Sequence, residues 1–373
     1  MPEALMVSSS FLPGRGGIES YLMELCSALA PRLAVLAPAR RDGRPLPDGL
    51  PYPVRGYGGR LFVPGPRAAR AIVSAAQEVG TDRVLYGTPW PQILTAPRVR
   101  KAGLRYAAVL HGAELLVPAA IPGVAGRLAR ALSRAELLLP VSLFTAARTR
   151  ALLERAGAPV PPLAVLRARV DLERFRPGAG REEARRRLHL APEDRVVLCF
   201  GRMVARKGLD RLVAALPAIA EAVPDLVLVL AGSGPEERSL RRAAARVPQR
   251  VVFAGRVPDE DAPGVFAAAD VFALPVADRW FGLDTEGLGV VLLEASACEV
   301  PCVTGRSGGT PEAVVDGVTG LVVDARDPAR LTDAIVRLLS DRGLARRMGA
   351  AGRRHVREEF GGRIPAALTQ WLQ

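Results

Sequence analysis

Residues 196–210 read VVLCFGRMVARKGLD, and the fold turns on this stretch. Its first five residues are apolar without alternation, the pattern of a short strand buried on both faces. Gly201 ends the strand, and an apolar helical pattern runs over 209–223. Strand, glycine-bounded loop and helix form the repeating unit of a parallel sheet covered by helices. In open sheets of that kind ligands bind beyond the carboxyl ends of the strands, which is where Arg202 and Lys207 stand. Two cations between Gly201 and Gly208 suit a diphosphate, because the glycines admit it to the backbone and the cations neutralise it. Arg206, in the same loop, is a weaker candidate for the diphosphate and can equally be solvated surface charge.

The alternation extends both ways. Downstream, short apolar strands are expected at 226–231, 251–254, 271–274, 302–304 and 321–323. Upstream they are expected at 4–10, 33–37, 84–86, 106–110, 137–140 and 163–166, with Pro- and Gly-rich loops over 41–66. The fold class is α/β, with two Rossmann-like, doubly wound domains. Residues 1–176 make the first and 193–353 the second, and RPGAG at 176–180 opens a linker over 177–192. The tail 354–373 reads as a helix returning to the first domain. Two such domains would face each other across a cleft that holds the active site.

A chain of 373 residues, 49% hydrophobic, can bury two cores of Ala, Val and Leu. No apolar run reaches the roughly 18–20 residues of a membrane span. MPEALMVSSS lacks the basic and apolar regions of a signal peptide, so a cytoplasmic location and reduced Cys26, Cys199, Cys298 and Cys302 are expected. The histidines, His111, His189 and His355, are scattered. Asp259-Glu260-Asp261 precedes a helical pattern at 262–269 and reads as helix-start charge. No metal and no other cofactor is expected.

The net charge of +13 is uneven: residues 1–180 carry 24 Lys and Arg against 12 Asp and Glu, the remainder 27 against 26. One basic half points to an anionic partner. Nucleic acid is not expected, for want of a binding motif and of stacking aromatics. An anionic membrane surface or acidic acceptor fits better. Residues 124–135 set Arg127, Arg130 and Arg134 on one helical face and Val124, Leu128, Ala131 and Leu132 on another. Such a helix can lie on anionic lipid, and it is equally the pattern of an ordinary surface helix. Arg98, Arg100, Lys101 and Arg105 form a second basic cluster.

EGLGVVLLE at 286–294 places Glu286 in a loop and Glu294 eight positions later, about one and a half turns into an apolar helix. Gly287, Leu288 and Gly289 make the turn, and the first-turn amides beyond it are an anion site. Carboxylates suit hydroxyls and amides suit phosphate; a sugar nucleotide offers both. GRGGIE at 14–19 brings Gly16 and Gly17 within reach of a phosphate or sugar, although a plain strand-to-helix turn accounts for it as well. It lacks the third glycine of a nicotinamide-binding fingerprint. His111 ends a strand in HGAE and can donate to a sugar hydroxyl. Arg256 lies in FAGRV at 253–257, where backbone groups can read a nucleobase edge. SGGTPE at 307–312 can line the same pocket, and GSGP at 232–235 reads as a turn.

In order and spacing, GGIE, HGAE, VDLERFRP, FGRMVARKGLD, GSGP, FAGRV, AAADVFALP, EGLGVVLLEA and SGGTPEAV resemble the retaining glycosyltransferases of family GT4, which have the GT-B fold. The run from FGLDTEGLG to SGGTPEAV looks most like PimB-type phosphatidylinositol mannoside mannosyltransferases. The resemblance implies transfer of a hexose, mannose favoured, from a nucleotide sugar, GDP-mannose favoured, to a hydroxyl of a glycolipid or glycan, without a metal and at the inner membrane face. It implies that Glu286 contacts the donor sugar, Glu294 the ribose hydroxyls, Arg202 and Lys207 the diphosphate, and His111 the sugar near its reacting carbon. Gly16 and Gly17 would approach the phosphates or sugar. The alternatives are a nucleotide-sugar epimerase or phosphorylase of the same architecture, and a non-catalytic nucleotide- or lipid-binding protein.

Overall fold

The computed structural model describes every residue except 1, 13–15, 42–43, 59–62 and 122. The chain forms two compact units, Met1–Arg169 with Gly362–Gln373, and Val170–Gly361. In the first, β1 (Ala4–Val7), β2 (Leu33–Pro38), β3 (Val54–Tyr57), β4 (Arg83–Tyr86), β5 (Arg105–Leu110) and β6 (Leu137–Pro140) make a parallel sheet in the order β3-β2-β1-β4-β5-β6. The second repeats the order: β7 (Arg195–Phe200), β8 (Leu226–Ala231), β9 (Arg250–Gly255), β10 (Val271–Leu274), β11 (Cys302–Gly305) and β12 (Gly320–Val323) pair as β9-β8-β7-β10-β11-β12. Each order reverses beside its first strand, between β1 and β4 and between β7 and β10. Those reversals are the ligand-binding switch points of doubly wound sheets.

The sequence dictates these layers directly. LVLVLA of β8 is buried at all six positions, as a central strand under helices on both faces must be. In the first unit the helix Pro66–Val79 turns Ala68, Ala69, Ile72, Ala75 and Ala76 inward. Tyr86 and Tyr106 meet edge to face at 5.7 Å. Their hydroxyls bond to Thr95 Oγ1 and donate to the Ala131 carbonyl, respectively. In the second unit Phe266 stacks on Phe200 at 4.8 Å and also touches Phe175 and Phe272. Asp327 caps the helix Pro328–Ser340 and Asp341 the helix Arg342–Glu359. The bond from the Leu344 amide holds the Asp341 carboxyl below its usual range.

The units differ from the expected domains in their bounds. The segment expected as a linker contains the helix Arg181–Arg187, which is part of the second unit. Arg181 donates to the Ala267 carbonyl, and Arg185 to the Ala268 carbonyl at 3.1 Å, covering the carbonyl end of the helix Ala262–Ala267. The helix Arg342–Glu359 also belongs to the second unit, where Arg353 donates to the carbonyls of Leu172, Phe175 and Ala297. Only Gly362–Gln373 joins the first unit, where Trp371 donates to Glu136 at 2.9 Å. The strand expected at 163–166 is reduced to one bridge between Leu138 and Leu163. β3, inside the region expected as loops, is an edge strand.

The loops after β7 and β8 touch through glycine. Gly232 has φ +122°, donates to the Gly255 carbonyl at 2.7 Å, and leaves no space for a Cβ beside the Gly201 carbonyl. Gly232→Ala should therefore cost about 3 kcal/mol, from the clash and the left-handed backbone together. Gly126→Ala, in a helix with open space around it, should gain about 0.5–1 kcal/mol. Urea unfolding of the two variants checks the opposite signs.

Candidate functional site

In the second unit the loops after β7, β8 and β9 are bonded to one another at the switch-point end. The Met203 amide donates to the Ser233 carbonyl at 3.0 Å, and Arg256 Nε donates to Ser233 Oγ at 3.2 Å. This brings Arg202, Ser233 and Arg256 to adjoining loops, with both arginines exposed to incoming solute. Beneath them a 3₁₀ turn, Ala205–Lys207, directs Lys207 back against Gly201: a Cβ there would lie 2.8 Å from Lys207 Nζ. Lys207 is 7% exposed, and no carboxylate pairs with it among the described residues. A buried ammonium without a counter-charge is costly, and its natural complement is an anion brought by a ligand.

Across the switch point the loop after β10 carries Glu286. Ser307, from the loop after β11, fixes it at both ends: its hydroxyl donates to Asp278 Oδ1 at 2.5 Å and accepts from the Glu286 amide at 3.3 Å. The Glu286 carbonyl accepts from the Gly309 amide at 2.9 Å. Gly308, at φ +55°, packs so closely on that carbonyl that no Cβ fits. The tandem glycines of SGG thus serve as a floor for the EGLG loop. Leu288 is buried, Gly287 is half-buried, and Gly289, left-handed at φ +84°, starts the helix Val290–Ala297. Glu294 lies half-buried on that helix, one turn before Cys298. Burial, then the Glu294 charge, pushes the Cys298 thiol up to about 12.

Two expectations need correction. Arg206 is not solvated surface charge: Nε is 3.4 Å from Glu286 Oε2 and Nη1 is 3.6 Å from Asp284 Oδ1. The helix bearing Arg127 and Arg130 ends at Leu132, so Arg134 lies beyond it. All three arginines are exposed, Leu128 and Leu132 are buried, and Arg134 and Arg100 both lie close enough to Tyr106 to act on its hydroxyl. Asp261 does stand at a helix start, but its carboxylate pairs with Arg187 at 2.8 Å and caps nothing. Among the described residues no group of three or more His, Cys, Asp or Glu is placed to hold a metal ion.

The first unit has its own polar cluster at the β1/β4 switch point. His111, directly after β5, donates Nε2–H to the Gly87 carbonyl at 2.8 Å, since a carbonyl can only accept. Its ring meets Tyr21 edge-on at 5.4 Å, and Tyr21 donates to the Leu166 carbonyl at 2.7 Å. Thr88 Oγ1 gathers the hydroxyls of Ser8 and Ser9, each at 3.1 Å. Sequence reasoning passed over these three residues; the signal was the polar SSS run directly after β1. Gly16 precedes the helix Gly17–Ala28, and the Glu19 carboxylate folds back over it. Gly14 and Arg15 of the same motif lie outside the described residues.

The model of the family "Glycosyl transferases group 1" matches residues 180–355. The chain is 39% identical to a GDP-mannose-dependent alpha-(1-6)-phosphatidylinositol monomannoside mannosyltransferase of Mycobacterium tuberculosis, over 96% of this chain and 95% of that one. It is 35% identical to a GDP-mannose-dependent monoacylated alpha-(1-6)-phosphatidylinositol monomannoside mannosyltransferase of Corynebacterium glutamicum, over 100% and 98%. In fold it resembles Anabaena HepE, crystallised with UDP and glucose, at TM-score 0.79 and 21% identity over 99% of this chain and 97% of that one. It also resembles WaaG, a glycosyltransferase of lipopolysaccharide biosynthesis, at TM-score 0.75 and 18% identity over 99% of each. The fold is thus GT-B.

Burial lifts the thiols of Cys199, Cys298 and Cys302 from 9 to about 12, and that of Cys26 higher still. Only thiolate attacks a disulfide reagent. The native protein should leave all four cysteines untouched by DTNB at pH 8, and denatured protein should titrate all four.

Proposed function

Since the chain belongs to the group 1 glycosyltransferases, we propose that it transfers mannose from GDP-mannose, with retention, to a hydroxyl of a phosphatidylinositol mannoside. The observation that carries this reading is Lys207, a buried cation without a carboxylate partner among the described residues, at the switch point of the second sheet. Lys207 and Arg202 meet the donor diphosphate, with the amides at the start of the helix Val290–Ala297 beside them. Glu294 accepts hydrogen bonds from the ribose hydroxyls and Glu286 from the hexose. Arg256 and its loop neighbour the nucleobase. His111, Gly16 and Gly17 belong to the sugar side.

In the reaction the bond between the hexose C1 and the diphosphate oxygen breaks, and the electron pair leaves with the nucleoside diphosphate. Lys207 and Arg202 stabilise that charge as it develops, which is where an electrostatic group acts on rate. The acceptor oxygen bonds to C1 on the face the diphosphate leaves, and its proton passes to a phosphate oxygen of the departing group. No carboxylate nucleophile is needed, so Glu286 serves in binding. The diphosphate is met by protein cations, and no metal enters the scheme.

The first unit supports a lipid acceptor. The helix Ala113–Ala119, which packs against the helix bearing Arg127 and Arg130, and the turn after it expose Val117 and Ile121 at 44% and 47%. Such a surface suits an anionic bilayer, and the scheme sets the protein at the cytoplasmic face. Such attraction is worth about 1 kcal/mol per arginine.

A thermal-shift series with GDP, UDP, ADP and their sugars tests the donor; GDP-mannose should raise the melting midpoint most. Lys207→Ala should lower kcat about 100-fold, and Glu294→Gln should mainly raise the donor KM, about tenfold. Unchanged kinetics in both would overturn the site. Product mass spectrometry showing an isomerised nucleotide sugar, or consumption of inorganic phosphate, would overturn the reaction. Arg127→Ala/Arg130→Ala should weaken cosedimentation with phosphatidylinositol-containing vesicles by about 30-fold; equal sedimentation would remove the membrane from the scheme.

A further inference from the structure

We infer that Arg206 is a positioning residue for the donor hexose: it holds the Glu286 carboxylate in place and separates it from Asp284. The inference rests on the reading that Glu286 meets the sugar. Arg206 sits beside Lys207 in the 3₁₀ turn after β7, and its own carbonyl accepts from the Ala277 amide at 3.0 Å. Its backbone is therefore tied across the switch point to the loop after β10. From there its guanidinium reaches both carboxylates of that loop with different nitrogens, Nε to Glu286 and Nη1 to Asp284. A planar fork can serve two acceptors in fixed directions, and a lysine ammonium cannot do so from the same place.

The remainder of the loop leaves this one freedom to Arg206. Arg279 and Asp284 close a small hairpin through two backbone bonds of 3.0 and 3.2 Å. Ser307 pins Asp278 at one end and the Glu286 amide at the other. The backbone of Glu286 is thus set, and the direction of its side chain is what the guanidinium decides. Both carboxylates are largely withdrawn from water, with side-chain exposures of 13% for Glu286 and 19% for Asp284. Two such charges, two residues apart and close to an incoming diphosphate, would repel each other and the donor without a cation between them. The contacts of 3.4 and 3.6 Å are longer than a tight ion pair of about 2.8 Å. A carboxylate has about four lone-pair sites, so Glu286 retains capacity for hexose hydroxyls while Arg206 holds it.

The test compares GDP, which lacks the hexose, with GDP-mannose on the full chain. Arg206→Gln should leave GDP affinity within about twofold, weaken GDP-mannose about tenfold and lower kcat with it. Arg206→Lys should recover about a third of the lost affinity, and Asp284→Asn added to Arg206→Gln should recover more, because it removes the repulsion. A cation that bound the diphosphate would lose GDP and GDP-mannose alike, and that result overturns the inference. So does wild-type behaviour of Arg206→Gln. If Arg206→Gln fails to fold, Arg206→Lys decides on the same ratio of affinities. Glu286→Gln separates the two readings: if it binds GDP-mannose as wild type does, the role of Glu286 fails, whereas its loss beside an unaffected Arg206→Gln sinks only the inference.

Discussion

The second unit is built around a charge it does not itself neutralise. Lys207 lies buried under the loop after β7 and against Gly201, with no carboxylate paired to it among the described residues. Burying an ammonium spends stability gained elsewhere. The fold tolerates it because the surrounding strands are apolar at almost every position and the helices on both faces keep them dry. At the same end of the sheet the loops after β7, β8 and β9 are bonded to one another, Arg202 and Arg256 add further positive charge, and Arg206 engages Asp284 and Glu286.

The second sheet was almost wholly readable from the sequence. Each of its six strands lies within about one residue of its expected place: the central ones, buried on both faces, must be continuously apolar, and the half-exposed edge strand β9 still reads VVFA at 251–254. The failures have particular causes. β3 reads VRGY and sits at a sheet edge, half-exposed, so only Val54 announces it. The segment 163–166 has the right composition for a strand and exchanges backbone bonds with β6 through Leu138, Ala164 and Leu166, but it pairs only as an isolated bridge at Leu163. The helix Arg181–Arg187 reads REEARRR, with one buried alanine. It is held by Glu183 with Arg186 and Arg187 and by arginines reaching carbonyls of the next helix, contacts that no hydrophobic period can reveal.

The site was legible where chemistry is local and illegible where it is not. Lys207 and Glu286 stand out because glycines bracket them, and glycines at strand ends have few uses other than close approach. Arg206 could not be told from the arginines that crowd this chain, since its meaning depends on Asp284 and Glu286, about eighty positions away. Ser307 has the same character: its position two residues after β11 marks it as a pocket residue, but only the fold shows that it fastens both ends of the Glu286 loop. The hydroxyl cluster of Ser8, Ser9 and Thr88 joins the loops after β1 and β4, about eighty positions apart, so the SSS run alone did not reveal its partner.

Rigidity at this site comes from missing side chains as much as from bonds. At Gly232 the loop after β8 lies on the Gly201 carbonyl, and at Gly308 the loop after β11 lies on the Glu286 carbonyl. Each contact stacks one backbone on another with no room for a methyl group, so each loop's height over the sheet is set by its neighbour. That fixes Lys207 and Glu286 relative to the same strand ends before any ligand arrives. Preorganised charges stabilise a transition state at little reorganisation cost. The freedom that remains lies in side chains at the rim, Arg202 and Arg256, which are exposed.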